Sequence, residues 1–115
     1  TKVSADARFI FEGPMMKGVE AVLGPSAVIK IGGVETVVIT NRFQAYDRMF
    51  FLNFGIIPEE KSLVAVKSAH HFRAAYGPMA REIILVDAAG ITSPDPNKFP
   101  FQNVRRPIWP LDGNW

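Results

Sequence analysis

Ser26-Ala27-Val28-Ile29-Lys30-Ile31-Gly32-Gly33-Val34-Glu35-Thr36-Val37-Val38-Ile39-Thr40 is the stretch that decides the fold class. Two glycines separate two β-branched runs. A two-residue hairpin loop needs positive φ at one or both central positions, which glycine adopts without a Cβ penalty. The turn sets the register: Ile31 faces Val34, Ile29 faces Thr36 and Ala27 faces Val38 on one side. Lys30 faces Glu35 and Val28 faces Val37 on the other. The Lys30–Glu35 match supports this register, because opposite charges directly across a ladder contribute about 0.2–1 kcal/mol.

Upstream of the hairpin, Arg8-Phe9-Ile10-Phe11-Glu12 reads as a short extended run stopped by Gly13-Pro14. Val19 to Leu23 reads as a second run, closed by Gly24-Pro25. Downstream, Asp47 to Phe54 predicts a short helix with Asp47 as its N-cap and Gly55 just past its end. Leu63-Val64-Ala65-Val66 is continuously apolar, the pattern of a strand buried on both faces. Ser68 then caps a second predicted helix, from about Ala69 to Tyr76, ended by Gly77-Pro78. Glu82 to Val86 is another apolar strand, so strand, helix and strand predict a right-handed βαβ unit.

The fold class expected is therefore α/β or α+β: antiparallel β-hairpins followed by a βαβ unit, in a mixed sheet with two short helices. Residues 1–115 are expected to form a single domain. From about residue 93, Pro94, Pro96, Pro100, Pro107 and Pro110 disfavour regular structure. Phe99, Phe101, Ile108, Trp109, Leu111 and Trp115 make this region too apolar for a free linker. An extended proline-rich arm over 93–115, pressed against a surface, is the expectation.

Hydrophobic residues make up 48% and charged residues 21%, a composition that supports a folded core rather than disorder. No apolar run approaches the ~20 residues that span a bilayer. The net charge is only +2, and Arg105-Arg106 is the one adjacent basic pair, so no stripe could track a nucleic acid backbone. Cysteine is absent, which excludes disulfides and thiolate ligands and suits a reducing, cytoplasmic location. No secretory leader is visible in the opening residues.

The two histidines, His70 and His71, are adjacent. Helical neighbours point about 100° apart, so both cannot easily chelate one ion, and the acids show no ligand spacing. No metal site is expected within this chain. Ser68 and His71 stand three apart, but no Gly-x-Ser-x-Gly elbow surrounds the serine, so capping is favoured over nucleophilic catalysis. An anion site is the better reading. Lys67 ends a strand, Ser68 opens a helix, and His71 and Arg73 lie in its first turns. Arg42 and Gln44 also follow a strand and precede a helix. If both junctions share one sheet edge, six polar groups converge. The alternative is that each caps a helix or bridges to a carbonyl.

Several blocks then occur in order: Gly13-Pro14-Met15 with Gly18, Leu23 to Val28, Ile31 to Val34, and Arg42-Phe43-Gln44. Val66-Lys67-Ser68 with His71-Phe72-Arg73-Ala74, and Arg105 to Asp112, complete the set. Together, from about Phe9 to Asp112, they resemble the C-terminal domain of MlrC-like proteins, metallopeptidases related to a microcystin-degrading enzyme. The sequence departs from the pattern at Asn41, where serine is frequent, and at His70, which precedes the family-like His71. The resemblance implies that zinc and the hydrolytic centre belong to a larger N-terminal domain. It also implies that the chain is an N-terminally truncated portion lacking the glycine-rich opening of its own domain.

Two functions are expected from this. In one, the chain is the non-catalytic C-terminal part of a bacterial zinc-dependent peptidase or amide hydrolase. It would complete the cleft for a peptide-like substrate through His71, Arg73, Lys67, Ser68, Arg42 and Gln44. In the other, it is a structural module packing against the N-terminal catalytic domain or forming a homo-oligomer.

Overall fold

The hairpin forms in the register its turn dictates. In the computed structural model, which describes residues 1–87, 93 and 95–113, three antiparallel strands lie in the order β1 (Lys2–Ile10), β2 (Glu20–Ile31) and β3 (Val34–Ile39). Lys30 pairs with Glu35, Val28 with Val37 and Ile31 with Val34, as the two glycines require. Only Gly32 of the pair has positive φ, at +56°.

Gly24-Pro25 does not end a strand, contrary to expectation; β2 runs straight through it. Gly24 adopts φ +69°, and the β1–β2 register shifts around Ala7, so the dipeptide is absorbed as an irregularity. Proline has no N–H to give a ladder, and Pro25 stands at none of the paired positions. Its carbonyl accepts from Thr40 Oγ1 at 2.6 Å. β1 is also longer than the expected run, reaching back to Lys2.

Alternation along the strands turns Ala7, Phe9, Ala21, Leu23 and Val28 inward, where they join Phe11, Phe50, Phe54 and Ile56 in one core. Phe9, Phe11 and Phe50 meet edge-on or tilted, with centroids 5.0 to 6.2 Å apart, the geometry that ring quadrupoles favour. The opposite face leaves Val3, Ile29, Ile31, Val34 and Val38 exposed. Helix α1 (Met49–Leu52) is shorter than expected, and Arg48 rather than Asp47 holds its cap position; Asp47 serves the same end from one residue earlier, its Oδ1 accepting from the Met49 N–H at 2.9 Å. Gly55 follows with φ +74°.

The expected βαβ unit is not formed among the described residues. The second helix, α2, is present but short, covering Phe72–Tyr76 and passing into a 3-10 turn at Gly77–Met79. The flanking runs 63–66 and 82–86 belong to no ladder. Leu63 is 78% exposed and Val86 81%. A continuous apolar strand needs a neighbour at its edge, and among the described residues neither run is paired with one.

The chain divides into two compact units, Thr1–Ile83 and Ile84–Trp115. In the second, the described residues show turns rather than one extended arm. Asp95 caps a 3-10 turn at Pro96–Lys98 by accepting from the Asn97 N–H at 3.0 Å. Asp112 closes another turn, accepting from Ile108 N–H and Arg106 Nη1, each at 2.6 Å. Pro94 and Trp115, assigned to the arm from sequence, lie outside the described residues.

Candidate functional site

The polar loop after β3 is held from behind. Asn41 donates its backbone N–H to Leu23 O at 3.0 Å and its Nδ2 to Val22 O at 2.8 Å, which fixes where the chain leaves the sheet. Tyr46 then stacks on Phe11, with centroids 5.2 Å apart, and Phe43 lies against the same ring at 6.4 Å. With these aromatics anchored to the core, Arg42 and Gln44 remain exposed on the loop.

Asp47 fastens the arrangement. It is 2% exposed. Its Oδ2 accepts from the Gly13 N–H at 2.8 Å, in addition to the Oδ1 contact with Met49. Its carbonyl accepts from the Tyr76 hydroxyl at 2.8 Å. One residue thus ties the 13–14 turn, α1 and α2 together. Gly13 is needed here, since a Cβ would sit 2.8 Å from Asp47 Oδ2. Burial, reinforced by the Asp47 charge, pushes the Tyr76 phenol well above its ordinary value, so it stays a neutral donor.

Through this frame three of the six candidate residues come together. Ser68 Oγ lies 3.4 Å from Gln44 Oε1, a long hydrogen bond. The His71 ring stands edge-on to Tyr46, with centroids 6.4 Å apart. Ser68 thus meets Gln44, and His71 stands beside Tyr46, whose backbone N–H donates to Gln44 O at 2.9 Å; Tyr46 is a residue that sequence reasoning passed over. Its signal was an aromatic set within an otherwise polar loop. Its hydroxyl donates to Met16 Sδ at 3.0 Å, and burial raises its pKa, with Asp47 adding to the effect.

The other three are placed differently. Arg42, Lys67 and Arg73 are exposed, and their charged heads make no ion pair or hydrogen bond among the described residues. The Arg73 guanidinium lies 5.5 Å from the centroid of its neighbour Phe72. Ser68 is not a cap, contrary to expectation. Helix α2 starts at Phe72 with His71 at the cap position and no side-chain cap bond. A helix of five residues has little dipole, so the patch relies on side-chain donors alone.

One surface hollow borders β2 and Gly55 and another lies beside Gly13 and Asp47; none of the six residues lines either. Five of the six are exposed and Ser68 is half-buried, so the patch lies at the surface. Among the described residues, no three His, Asp or Glu side chains converge as a metal ion requires. No helix among them is long and apolar enough to cross a membrane.

Comparison with known proteins places these features in context. A family described as "MlrC C-terminus" matches residues 2–103. Microcystinase C from a Sphingomonas species is 30% identical over 97 residues, 84% of this chain but 18% of that protein. The crystal structure of a candidate metallopeptidase from Mesorhizobium sp. BNC1 aligns with a TM-score of 0.82 at 34% identity. That alignment covers 99% of this chain and 23% of the other. The chain thus spans about a fifth of the length of the relatives it matches.

Proposed function

Because the chain belongs to the MlrC C-terminus family, we propose that it is the non-catalytic C-terminal portion of a longer bacterial, cytoplasmic, zinc-dependent peptidase or amide hydrolase. In this reading its polar patch forms one wall of a cleft for a peptide-like substrate. The observation that supports it is the Ser68–Gln44 contact and the His71–Tyr46 contact on one exposed loop surface, together with Arg42, Lys67 and Arg73, which no described acid neutralises. Such a surface offers donors to carbonyl or carboxylate oxygen. It encloses nothing by itself, which suits a wall that an opposing domain completes.

Among the described residues no set fits zinc, which takes three or four converging nitrogen, sulfur or oxygen ligands. No step in this chain passes through the metal; the zinc belongs with the N-terminal catalytic domain. The contribution of the patch is orientation. A donor already aimed at developing oxyanion charge is worth on the order of 100-fold in rate. His71→Ala in the longer polypeptide is therefore expected to lower kcat/KM on a cleavable peptide by about that factor, with zinc content unchanged. Unaltered kinetics at full zinc occupancy would remove His71 from the proposal.

A second reading rests on the exposed apolar side chains of Leu63, Ile84, Leu85 and Val86. They favour a structural module that packs against the catalytic domain or a second copy. Light scattering of the chain, and of a version cut before Ser93, tests it. A persistent monomer that loses no stability on truncation would count against this reading.

A further inference from the structure

Leu63-Val64-Ala65-Val66 and Ile83-Ile84-Leu85-Val86 contain no charge, proline or glycine. Both lie outside any ladder, and among the described residues no backbone hydrogen bond engages either. In the first run, Val64 and Val66 are half-buried while Leu63 and Ala65 are exposed. Burial therefore alternates along that run, with one side partly covered and the other open. In the second, Ile83 is half-buried and the next three residues are exposed.

Strands meant to meet water at a sheet edge are normally guarded by charges or proline. The true edges of this sheet show such guards. β1 carries Lys2, Asp6 and Arg8, and β3 carries Glu35 within reach of Lys61 at 2.5 Å. The two unpaired runs carry none. Their composition is that of interior strands, whose backbone groups are satisfied by neighbours and whose two faces are both covered.

We infer that residues 63–66 and 83–86 are interior strands completed by β-strand addition from another segment of the same longer polypeptide. The inference rests on reading the chain as part of such a polypeptide; it does not require hydrolase activity. The matched relatives supply the argument for this occupant, since the aligned region is 18% of one and 23% of the other. Most of a chain of that length is available to provide a strand. An apolar segment of alternating or continuous aliphatic pattern is the chemistry that fits, because main-chain bonds supply the affinity and the exposed Leu63, Ile84, Leu85 and Val86 supply the contact.

Amide hydrogen exchange, measured on the 115-residue chain and on the longer polypeptide, tests this. In the short chain, the amides of both runs are expected to exchange near the unprotected rate at every protein concentration. In the longer polypeptide they are expected to slow by about 100-fold or more. Ala65→Pro, which removes one donor, is expected to leave the short chain's thermal midpoint unchanged and to abolish the protection at 63–66 in the longer one. Equal exchange in both would overturn the inference. So would protection in the short chain that rises with concentration, since a second copy would then be the partner. Slowed exchange that survives Ala65→Pro would indicate cover without pairing, and also overturns it. A longer polypeptide with slowed amides and no peptidase activity would instead reject the hydrolase reading and leave the strands standing.

Discussion

Val34–Ile39 and residues 63–66 are both rich in aliphatic residues, yet only the first is a strand. The difference lies in what stands next to them. Val34 follows its partner strand after two glycines, so the ladder closes at almost no cost in loop entropy. Leu63 has no partner two residues away, and the sheet nearest in sequence is already paired in the order β1-β2-β3. β-propensity describes how a side chain fits a pleated, half-buried surface; it does not create that surface. Two aliphatic-rich stretches can therefore differ in structure because, among the described residues, only one of them has a partner strand beside it.

Truncating one leucine in each region gives the largest contrast. Leu23 is fully buried on β2, whereas Leu63 is 78% exposed. Leu23→Ala is expected to cost about 2–5 kcal/mol of folding free energy, from lost transfer energy and a residual cavity. Leu63→Ala should stay within about 0.5 kcal/mol in the same chain. Urea denaturation of the three proteins checks this, and a comparable loss at both sites would break the contrast.

The turn offers a finer cut. Of the two glycines, only Gly32 has positive φ. Gly32→Ala is expected to cost about 1–2 kcal/mol, the penalty for an L-residue in the left-handed region. Gly33→Ala meets no atom within 4 Å at an ordinary φ and is expected to be neutral or slightly stabilising. Equal losses at the two positions in thermal melts would mean that the turn is not the device that fixes the register.

How much could be read in advance follows the same line. The hairpin register was legible because it depends on a local turn and on side chains directly opposite each other. That Asp47 serves the start of α1 was legible for the same reason, though one residue off the cap position, but its bond to Gly13 spans 34 residues and left no local trace. Lys30 and Glu35 do face each other, at 3.9 Å, but the closer partner of Glu35 is Lys61 at 2.5 Å, from a distant part of the sequence. Gly24-Pro25 looked like a stop because both residues weaken strands, and the sheet instead accommodated them as an irregularity. In the site, local spacing suggested Ser68 as a cap. Packing instead brought the loop that follows β3 beside it and turned its hydroxyl toward Gln44.

Tyr76 measures how firmly α2 is tied to the frame behind the patch. Tyr76→Phe removes the hydrogen bond to Asp47 O, while Phe50 N–H still serves that carbonyl at 3.2 Å. The expected cost is about 1 kcal/mol. The pH dependence is distinctive. The folded phenol titrates above its ordinary value of 10.0. Its contribution is therefore full below that value and declines as pH rises beyond it, when only the unfolded chain ionises. The wild type should lose stability above pH 10 more steeply than the variant, in melts followed across the alkaline range.

The smallest effect concerns the foot of the unpaired run. Lys61, two residues before Leu63, bonds to Glu35 on β3, so one exposed ion pair joins the start of residues 63–66 to the hairpin. The hydrogen bond from Lys61, then its charge, holds the Glu35 carboxyl below its ordinary value of 4.5, with Lys30 and Lys2 adding to the effect. A depressed carboxylate contributes stability that is present above the unfolded value and is lost as pH falls through the lower, folded one. Glu35→Gln should accordingly lower the thermal midpoint slightly at neutral pH. The difference should shrink in high salt and vanish once acid protonates the wild-type carboxylate in both states. If the variant instead melted well below the wild type at every pH, the foot of the run would be held by packing and not by charge. Residues 63–66 would then be better anchored within this chain than their exposure implies.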